Sequence, residues 1–285
     1  MVKPGLVDSG IVFYRTDLDV RKPIQAEPGN VRSTDLATTL GNDNIEIHTV
    51  EHLLSALLGL GIDNAQVEVN GPELPIMDGS AGPFVEALLS AGRRPQNRSK
   101  RCVIIKKKIR VSDRSGRWAE AIPSRKFKVT CSIDYDHPLI NEQRYRLEFK
   151  DAVYVKEICK ARTFGFLREV EGIRARGLAK GGSLDNAVVI DDFNILNEGG
   201  LRYPDEFVRH KVLDTMGDIA TMGGMIVGHI RSYKGGHSLN RMLVQALMST
   251  KNALEVVDAA ELERSSDGLV ELPEWSDCRA LLAEA

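Results

Sequence analysis

The chain has 285 residues, 42% of them hydrophobic and 27% charged, with a net charge of −2; this describes a globular chain with room for one large domain or two ordinary ones. No apolar run approaches the ~20 residues of a membrane-crossing helix, and the N-terminal MVKPGLVDSG lacks a signal-peptide hydrophobic region, so a cytoplasmic location is expected. Residues 252–285 hold nine acids against two arginines, a net −7, which leaves residues 1–251 at +5; that body suits an anionic small molecule, but it has no basic stripe interleaved with aromatics to suggest nucleic acid.

In chain order, 11–15 reads as a strand, and 30–47 as short strands and turns around Gly41-Asn42-Asp43-Asn44. A helix over 49–60 is too continuously apolar for a surface helix, with Thr49 as its expected cap and Gly61 as its stop. The alternation over 65–69 predicts a strand, and 83–91 a helix that opens on Pro83 and stops at Gly92. Polar residues 93–101 read as a linker. The expected organisation is an N-terminal domain over 1–95, a C-terminal domain over 100–251 and an acidic, partly helical, solvent-facing tail over 252–285. Within the second domain, strands are expected over 102–111, 117–122, 126–134, 144–149, 186–190 and 225–230, and helices over 151–160, 166–176, 205–222 and 238–250. Segregated strands and helices favour α+β over a doubly wound sheet. Cys102, Cys131, Cys159 and Cys278 stand far apart without CxxC pairing and read as reduced packing residues. Val50-Glu51-His52 and Val208-Arg209-His210 place a histidine early in a helix in each half, an order compatible with internal duplication that sequence identity does not support.

The chemistry-bearing residues collect around these two helices. His48, Glu51 and His52 match the His-x-x-Glu-His pattern of a class of zinc peptidases. On the other helix, His210 and Asp214 are four apart and share a face, a spacing that serves either one metal ion or an ordinary surface pair. Adding His52 gives two imidazoles, a carboxylate and an open position, the composition of a catalytic zinc sphere. Glu51 is then placed to take a proton from water, or is simply a carboxylate favoured by the helix dipole. His237, in Lys234-Gly235-Gly236-His237-Ser238, either swings over a site on its loop or belongs to a helix start. Asp218, one turn beyond Asp214, could hold such a histidine protonated, and Lys211 either meets an anionic substrate or is solvated.

Several blocks in collinear order over about residues 10–250 carry a more specific message. They are Thr49-Val50-Glu51-His52-Leu53, Gly59-Leu60-Gly61-Ile62-Asp63-Asn64, Pro75-Ile76-Met77-Asp78-Gly79-Ser80, Ala161-Arg162-Thr163-Phe164-Gly165-Phe166, Leu196-Asn197-Glu198, 207–214 with Gly217-Asp218, and Gly236-His237. Together they resemble the UDP-3-O-acyl-N-acetylglucosamine deacetylases of lipid A and lipopolysaccharide biosynthesis in Gram-negative bacteria. The resemblance implies a hydrolase of a linear amide that removes acetate from the glucosamine nitrogen of a UDP-linked, 3-O-acylated sugar, the committed step of that synthesis. It implies zinc, with iron possible, on His52, His210 and Asp214; Glu51 as general base; and His237 as general acid supported by Asp218. Thr163 would help hold the oxyanion, Phe164 and Lys211 would contact the sugar nucleotide, and Asp134-Tyr135 stands where the family places a uracil-binding pair. The implied fold is two similar α+β domains, each a sheet backed by two helices, with the helices packed together and the site between. A βαβ insertion near 163–190, bearing Phe166, Leu167, Val170, Ile173, Leu178 and Val188, would form a passage for the acyl chain. A monomer acting on a small molecule, with no transmembrane segment, is expected.

Two departures stand out. The family begins with a strand and a Gly-x-His-Ser-Gly-type turn ahead of the equivalent of Gly10, which this chain lacks, so its first sheet is expected to be short of an edge. His48 stands where the family needs no ligand. The alternatives are a peptidase that binds metal through His48 and His52, and a catalytically silent paralogue that binds acyl-sugar nucleotide or a partner protein.

Overall fold

The computed structural model describes residues 1–19, 21–264, 270–273, 275–276 and 278–282. Strands β1 (Val2–Pro4), β2 (Ile11–Arg15), β3 (Ile24–Gln25), β4 (Val31–Ser33), β5 (Thr39–Asn42) and β6 (Ile45–Ile47) precede helix α1 (Glu51–Gly59), strand β7 (Ala65–Val69) and helix α2 (Gly82–Ala91). Neither helix nor strand occupies 93–100. Strands β8 (Arg101–Ile105), β9 (Ile109–Ser112), β10 (Trp118–Ile122), β11 (Phe127–Ile133) and β12 (Gln143–Glu148) follow, then helix α3 (Asp151–Glu157). Strand β13 (Phe164–Phe166), helix α4 (Leu167–Ala175) and strand β14 (Val188–Ile190) lead to helix α5 (Glu206–Ala220), strand β15 (Met225–Tyr233) and helix α6 (His237–Ser249). Strand β16 (Leu254–Asp258) and helix α7 (Ala259–Arg264) come last, before a 3-10 turn at Cys278–Leu282.

These elements make a two-domain α+β fold. The first domain carries a four-stranded sheet in the order β1-β7-β2-β3, with β2 and β7 parallel from Ile11↔Ala65 to Arg15↔Val69, and a three-stranded sheet β4-β5-β6. The second carries β12-β11-β15-β10-β9, with β8 joining β15 and β16 joining β8. Each domain has its own core. Phe13, Ile24, Leu40, Ile47, Leu53, Leu57 and Val67 fill the first, and Phe127, Val129, Leu147, Phe207, Leu213 and Ile230 the second. Helix α1 serves both, since Leu53, Leu54 and Leu57 join the first core while Ala56 and the following Leu60 join the second. At roughly 1.5–3 kcal/mol for each fully buried leucine, this two-sided burial carries the polar first turn of α1 into the interior.

The contact of α1 with α5 is close enough to exclude a side chain. A Cβ on Gly217 would lie 2.0 Å from the Glu51 carbonyl oxygen, and one on Gly59 would meet the Tyr154 ring at 2.2 Å. Gly217 is needed for the backbone approach of α1 to α5 and Gly59 for the seat of the Tyr154 ring of α3, neither for an unusual dihedral.

Several expectations are corrected. Thr49 does not cap α1: it has φ 60°, the cap residue is Val50 without a side-chain bond, and the Thr49 hydroxyl donates to Glu73 Oε1 at 2.7 Å. The stretch 102–111 is two strands, broken at the exposed Lys106-Lys107-Lys108. Strand β15 runs on through Ser232 and Tyr233, three residues past the expected end at 230. The segment ahead of Gly10 is not idle, because β1 pairs antiparallel with β7 at the edge of the first sheet. The acidic tail does not begin at 252. Strand β16 extends the second sheet from Leu254↔Ile105 to Asp258↔Arg101, and beyond it Trp275 packs on Phe149 while Cys278 is buried. The remainder of that reading, residues 265–269, 274, 277 and 283–285, lies outside the described residues. All four cysteines are free and buried. Among the described residues no helix is long and apolar enough to cross a membrane.

Candidate metal centre

Where α1 crosses α5, four buried polar side chains meet. His52 sits in the first turn of α1, and His210, Asp214 and Asp218 follow at four-residue steps along one face of α5. His52 Nε2 is 3.7 Å and His210 Nε2 3.2 Å from Asp214 Oδ1, and the two rings lie edge to face with centroids 5.1 Å apart. His210 donates Nδ1–H to the Ala161 carbonyl at 3.0 Å, which fixes the ring and leaves the Nε2 lone pair facing Asp214. Among the described residues, His52, His210 and Asp214 form a group whose ligand atoms all lie within 4.8 Å of one another. His52 Nδ1 and Asp214 Oδ1 are buried without a hydrogen-bond partner. Two imidazoles and a carboxylate whose ligand atoms converge, with the buried Asp214 Oδ1 left without a hydrogen bond, fit a divalent cation by both geometry and chemistry.

The electrostatics point the same way. Burial, with His210 nearby, pushes His52 down to about 3, and burial also lowers His210, so both stay neutral and able to ligate. Burial works against charge on Asp214 as well, but His210, Lys211 and His237 outweigh it and hold Asp214 well below the usual carboxylate range. Lys211 Nζ donates to Asp214 Oδ2 at 2.8 Å and is raised above its ordinary value by that carboxylate despite burial.

Two further groups flank the cluster. Glu51 is 3% exposed, and burial, opposed by His237 and supported by Asp214 and Asp218, lifts it to about 7. Its place in the first turn of α1, expected to favour the anion, is therefore outweighed by desolvation. His237 opens α6 and donates Nδ1–H to Asp218 Oδ2 at 2.9 Å. Burial would lower it, but the charge and hydrogen bond of Asp218, with Asp214 and Glu51, raise it to about 10. Asp218 also accepts from the Thr38 hydroxyl at 2.6 Å and Asn240 Nδ2 at 2.8 Å. A carboxylate near neutrality and a persistent imidazolium on either side of three ligand atoms can exchange protons with one bound molecule.

The other predicted residues divide. Phe164 lies beside the cluster, 5.0 Å from Phe207 and 6.5 Å from His210 by ring centroid, with Lys211 Nζ 5.4 Å from its centroid. Tyr135 stacks edge-on with Phe164 at 5.8 Å. Asp134 is held by Lys234 at 2.9 Å, on the loop that leads to His237. Thr163 is anchored through its backbone, donating to Gly79 O and accepting from Val188 N, each at 2.8 Å. His48 is not brought to the cluster: its side chain is 42% exposed and its Nδ1 lies 2.8 Å from Thr39 Oγ1. The peptidase geometry is therefore absent.

Other motif residues turn out to support the site. Arg162 makes a two-pronged pair with the fully buried Glu206, Nε to Oε1 at 2.8 Å and Nη2 to Oε2 at 3.0 Å, which fixes the segment bearing Thr163 and Phe164. Asp78 binds Arg202 at 2.8 Å, and Gly79, at φ +85°, admits Asn186 O to 2.1 Å from where a Cβ would be. Asn197 Nδ2 donates to Leu184 O and Ala187 O, tying down the insertion. Sequence reading missed Thr38 and Asn240, because a threonine before a strand and an asparagine in a helix carry no local pattern that points to a site.

The sequence model for UDP-3-O-acyl N-acetylglycosamine deacetylase matches residues 1–249. The chain belongs to this family. Among its relatives, the UDP-3-O-acyl-N-acetylglucosamine deacetylase of Hahella chejuensis is 52% identical over 265 residues, 91% of this chain and 87% of the relative. That of Myxococcus xanthus is 48% identical over 94% of this chain and 85% of the relative. That of Haemophilus influenzae is 46% identical over 94% and 89%. The family's matched region takes in both helices and every residue of the cluster, with His237 near its C-terminal end.

Proposed function

We propose that this chain hydrolyses the acetamide of a UDP-3-O-acylated N-acetylglucosamine, giving the free amine and acetate, with His52, His210 and Asp214 holding a divalent cation at the reacting centre. One observation carries the reading: Glu51, raised to about 7, and His237, raised to about 10, flank a buried set of three neutral or anionic ligands. When bound, the cation supplies Lewis-acid polarisation of the amide carbonyl and makes water more acidic. Glu51 takes a proton from the attacking water. His237, kept charged by Asp218, gives a proton to the departing amine nitrogen, which would otherwise leave as an unstable anion. Thr163 lies on the segment fixed by Arg162 and Glu206, where it helps hold the developing oxyanion. Zinc is the expected metal, and iron suits the same two imidazoles and carboxylate.

Substrate contacts follow the surroundings. Phe164, Tyr135 and Lys211 form an aromatic and cationic wall suited to a sugar nucleotide, with Asp134 at its edge for the uracil. Helix α4 of the insertion has no buried residue, and Leu167 is 48% and Leu184 49% exposed, which supports an apolar passage for the acyl chain. A cytoplasmic monomer in lipid A synthesis is consistent with four free cysteines and a UDP-linked substrate. The test is acetate release from UDP-3-O-acyl-N-acetylglucosamine by the wild type, Glu51→Gln and His237→Ala, with metal content measured in parallel. Loss of kcat in both variants with metal retained supports the assignment, and full turnover in either overturns it.

A further inference from the structure

Thr38 touches the groups on both sides of the reaction centre, yet belongs to neither helix that carries them. It is 2% exposed and stands immediately before β5. Its backbone N–H donates to Glu51 Oε2 at 2.9 Å, and its hydroxyl donates to Asp218 Oδ1 at 2.6 Å. Its carbonyl accepts from Val50 N–H at 3.2 Å, directly ahead of α1. Glu51 is on α1 in the first domain, and Asp218 is on α5 in the second. One residue thus grips a carboxylate from each domain. The next residue, Thr39, points the other way, with its hydroxyl on His48.

The chemistry assigned above requires two proton transfers around one acetamide, so the separation of Glu51 from His237 matters as much as the identity of either. Those groups arrive on different domains. Asp218 sets the His237 ring through Nδ1 at 2.9 Å, and Thr38 is the residue that joins Asp218 to Glu51. A charge-assisted O–H to carboxylate bond at this distance is among the stronger neutral-to-ion contacts. The β-branched side chain restricts χ1, so the hydroxyl and the N–H of Thr38 hold a fixed relation to each other. The same residue thereby restrains Glu51 through Oε2 and Asp218 through Oδ1.

We propose that Thr38 is a positioning residue that sets the distance between the base Glu51 and the Asp218–His237 acid pair across the domain interface. The proposal rests on the roles given to Glu51 and His237 above. It predicts that a hydroxyl at position 38 is required and that a shape-matched apolar side chain does not suffice.

The test compares Thr38→Val and Thr38→Ser with the wild type, Glu51→Gln and His237→Ala, all metal-loaded. It measures kcat, KM, metal content and the NMR resonance of the His237 Nδ1 proton. Thr38→Val is expected to lower kcat roughly 10–100-fold, the scale of a misplacement of about 1 Å in a catalytic group. Its KM should stay within about threefold, its metal content should match the wild type, and its His237 proton resonance should shift. Thr38→Ser should recover most of kcat and the wild-type resonance. The proposal is overturned if Thr38→Val keeps kcat, if Thr38→Ser is as impaired as Thr38→Val, or if the loss lies in metal content. Should Glu51→Gln and His237→Ala retain kcat, the underlying site assignment fails and the proposal with it. If those two lose kcat while Thr38→Val does not, the proposal alone fails.

Discussion

Substituting Asp218 by Asn tests the acid half of the site with little change in shape. Asp218 accepts from Thr38 Oγ1 at 2.6 Å, Asn240 Nδ2 at 2.8 Å and His237 Nδ1 at 2.9 Å, and it is the main influence that raises His237 to about 10 against the opposing effect of burial. Without that carboxylate only the weaker raising effects of Asp214 and Glu51 oppose burial, so His237 falls, at the limit to its ordinary 6.5. At pH 8 the protonated fraction then drops from about 99% to about 3%, so kcat should fall by up to roughly 30-fold if His237 is the acid. Glu51 is partly insulated, because the variant removes both the raising effect of Asp218 and the lowering effect of charged His237. The assay is kcat against pH from 6 to 10 on metal-loaded protein. An alkaline limb that stays in place, or a loss found wholly in KM or metal content, refutes the argument.

The same pair makes a stability prediction. The folded value of His237 lies above its ordinary 6.5, so its contribution is fully present below pH 6.5 and is lost as pH rises toward 10; wild-type stability should fall by about 1.4 kcal/mol per pH unit from this group between pH 7 and 9, and Asp218→Asn should show a flatter curve in denaturant titrations. Arg162→Ala removes the charge partner of the fully buried Glu206, which keeps only the backbone N–H bonds from residues 162 and 202, and this should cost about 3–5 kcal/mol by chemical denaturation; a change under about 1 kcal/mol contradicts that role. Gly217→Ala places a methyl 2.0 Å from the Glu51 carbonyl oxygen, so α1 and α5 must separate. It should lose about 1–3 kcal/mol of stability together with metal affinity, and a variant with wild-type thermal midpoint and metal content would show that the helices do not need this contact.

Much of this was legible because the informative residues sit at fixed helical spacings. His210, Asp214 and Asp218 lie on one face by period alone, and the apolar run after His52, broken only by Ser55 and Gly59, marks the helix as buried. The strand pattern of 65–69 appears in the structure with the bounds the sequence suggested. What escaped was set by tertiary contact. Thr49 looks like a cap until its positive φ and its bond to Glu73 are seen. The segment after 252 looks like a tail because its charges hide β16, whose alternating residues find partners on β8, about 150 positions earlier. Thr38 is invisible for the same reason, since its partners Glu51 and Asp218 lie 13 and 180 residues away. His48 shows the converse error: a motif complete in sequence places its first histidine in a bridge to Glu73, facing away from the second.

In the proposed function His52, His210 and Asp214, and not His48, hold the metal that turnover needs. The most direct measurement is metal content and deacetylation of UDP-3-O-acyl-N-acetylglucosamine by the wild type, His48→Ala and His210→Ala prepared side by side. His210→Ala should lose both metal and activity, while His48→Ala, altering a 42% exposed side chain, should keep both. Loss of metal from His48→Ala with retention in His210→Ala would contradict the account.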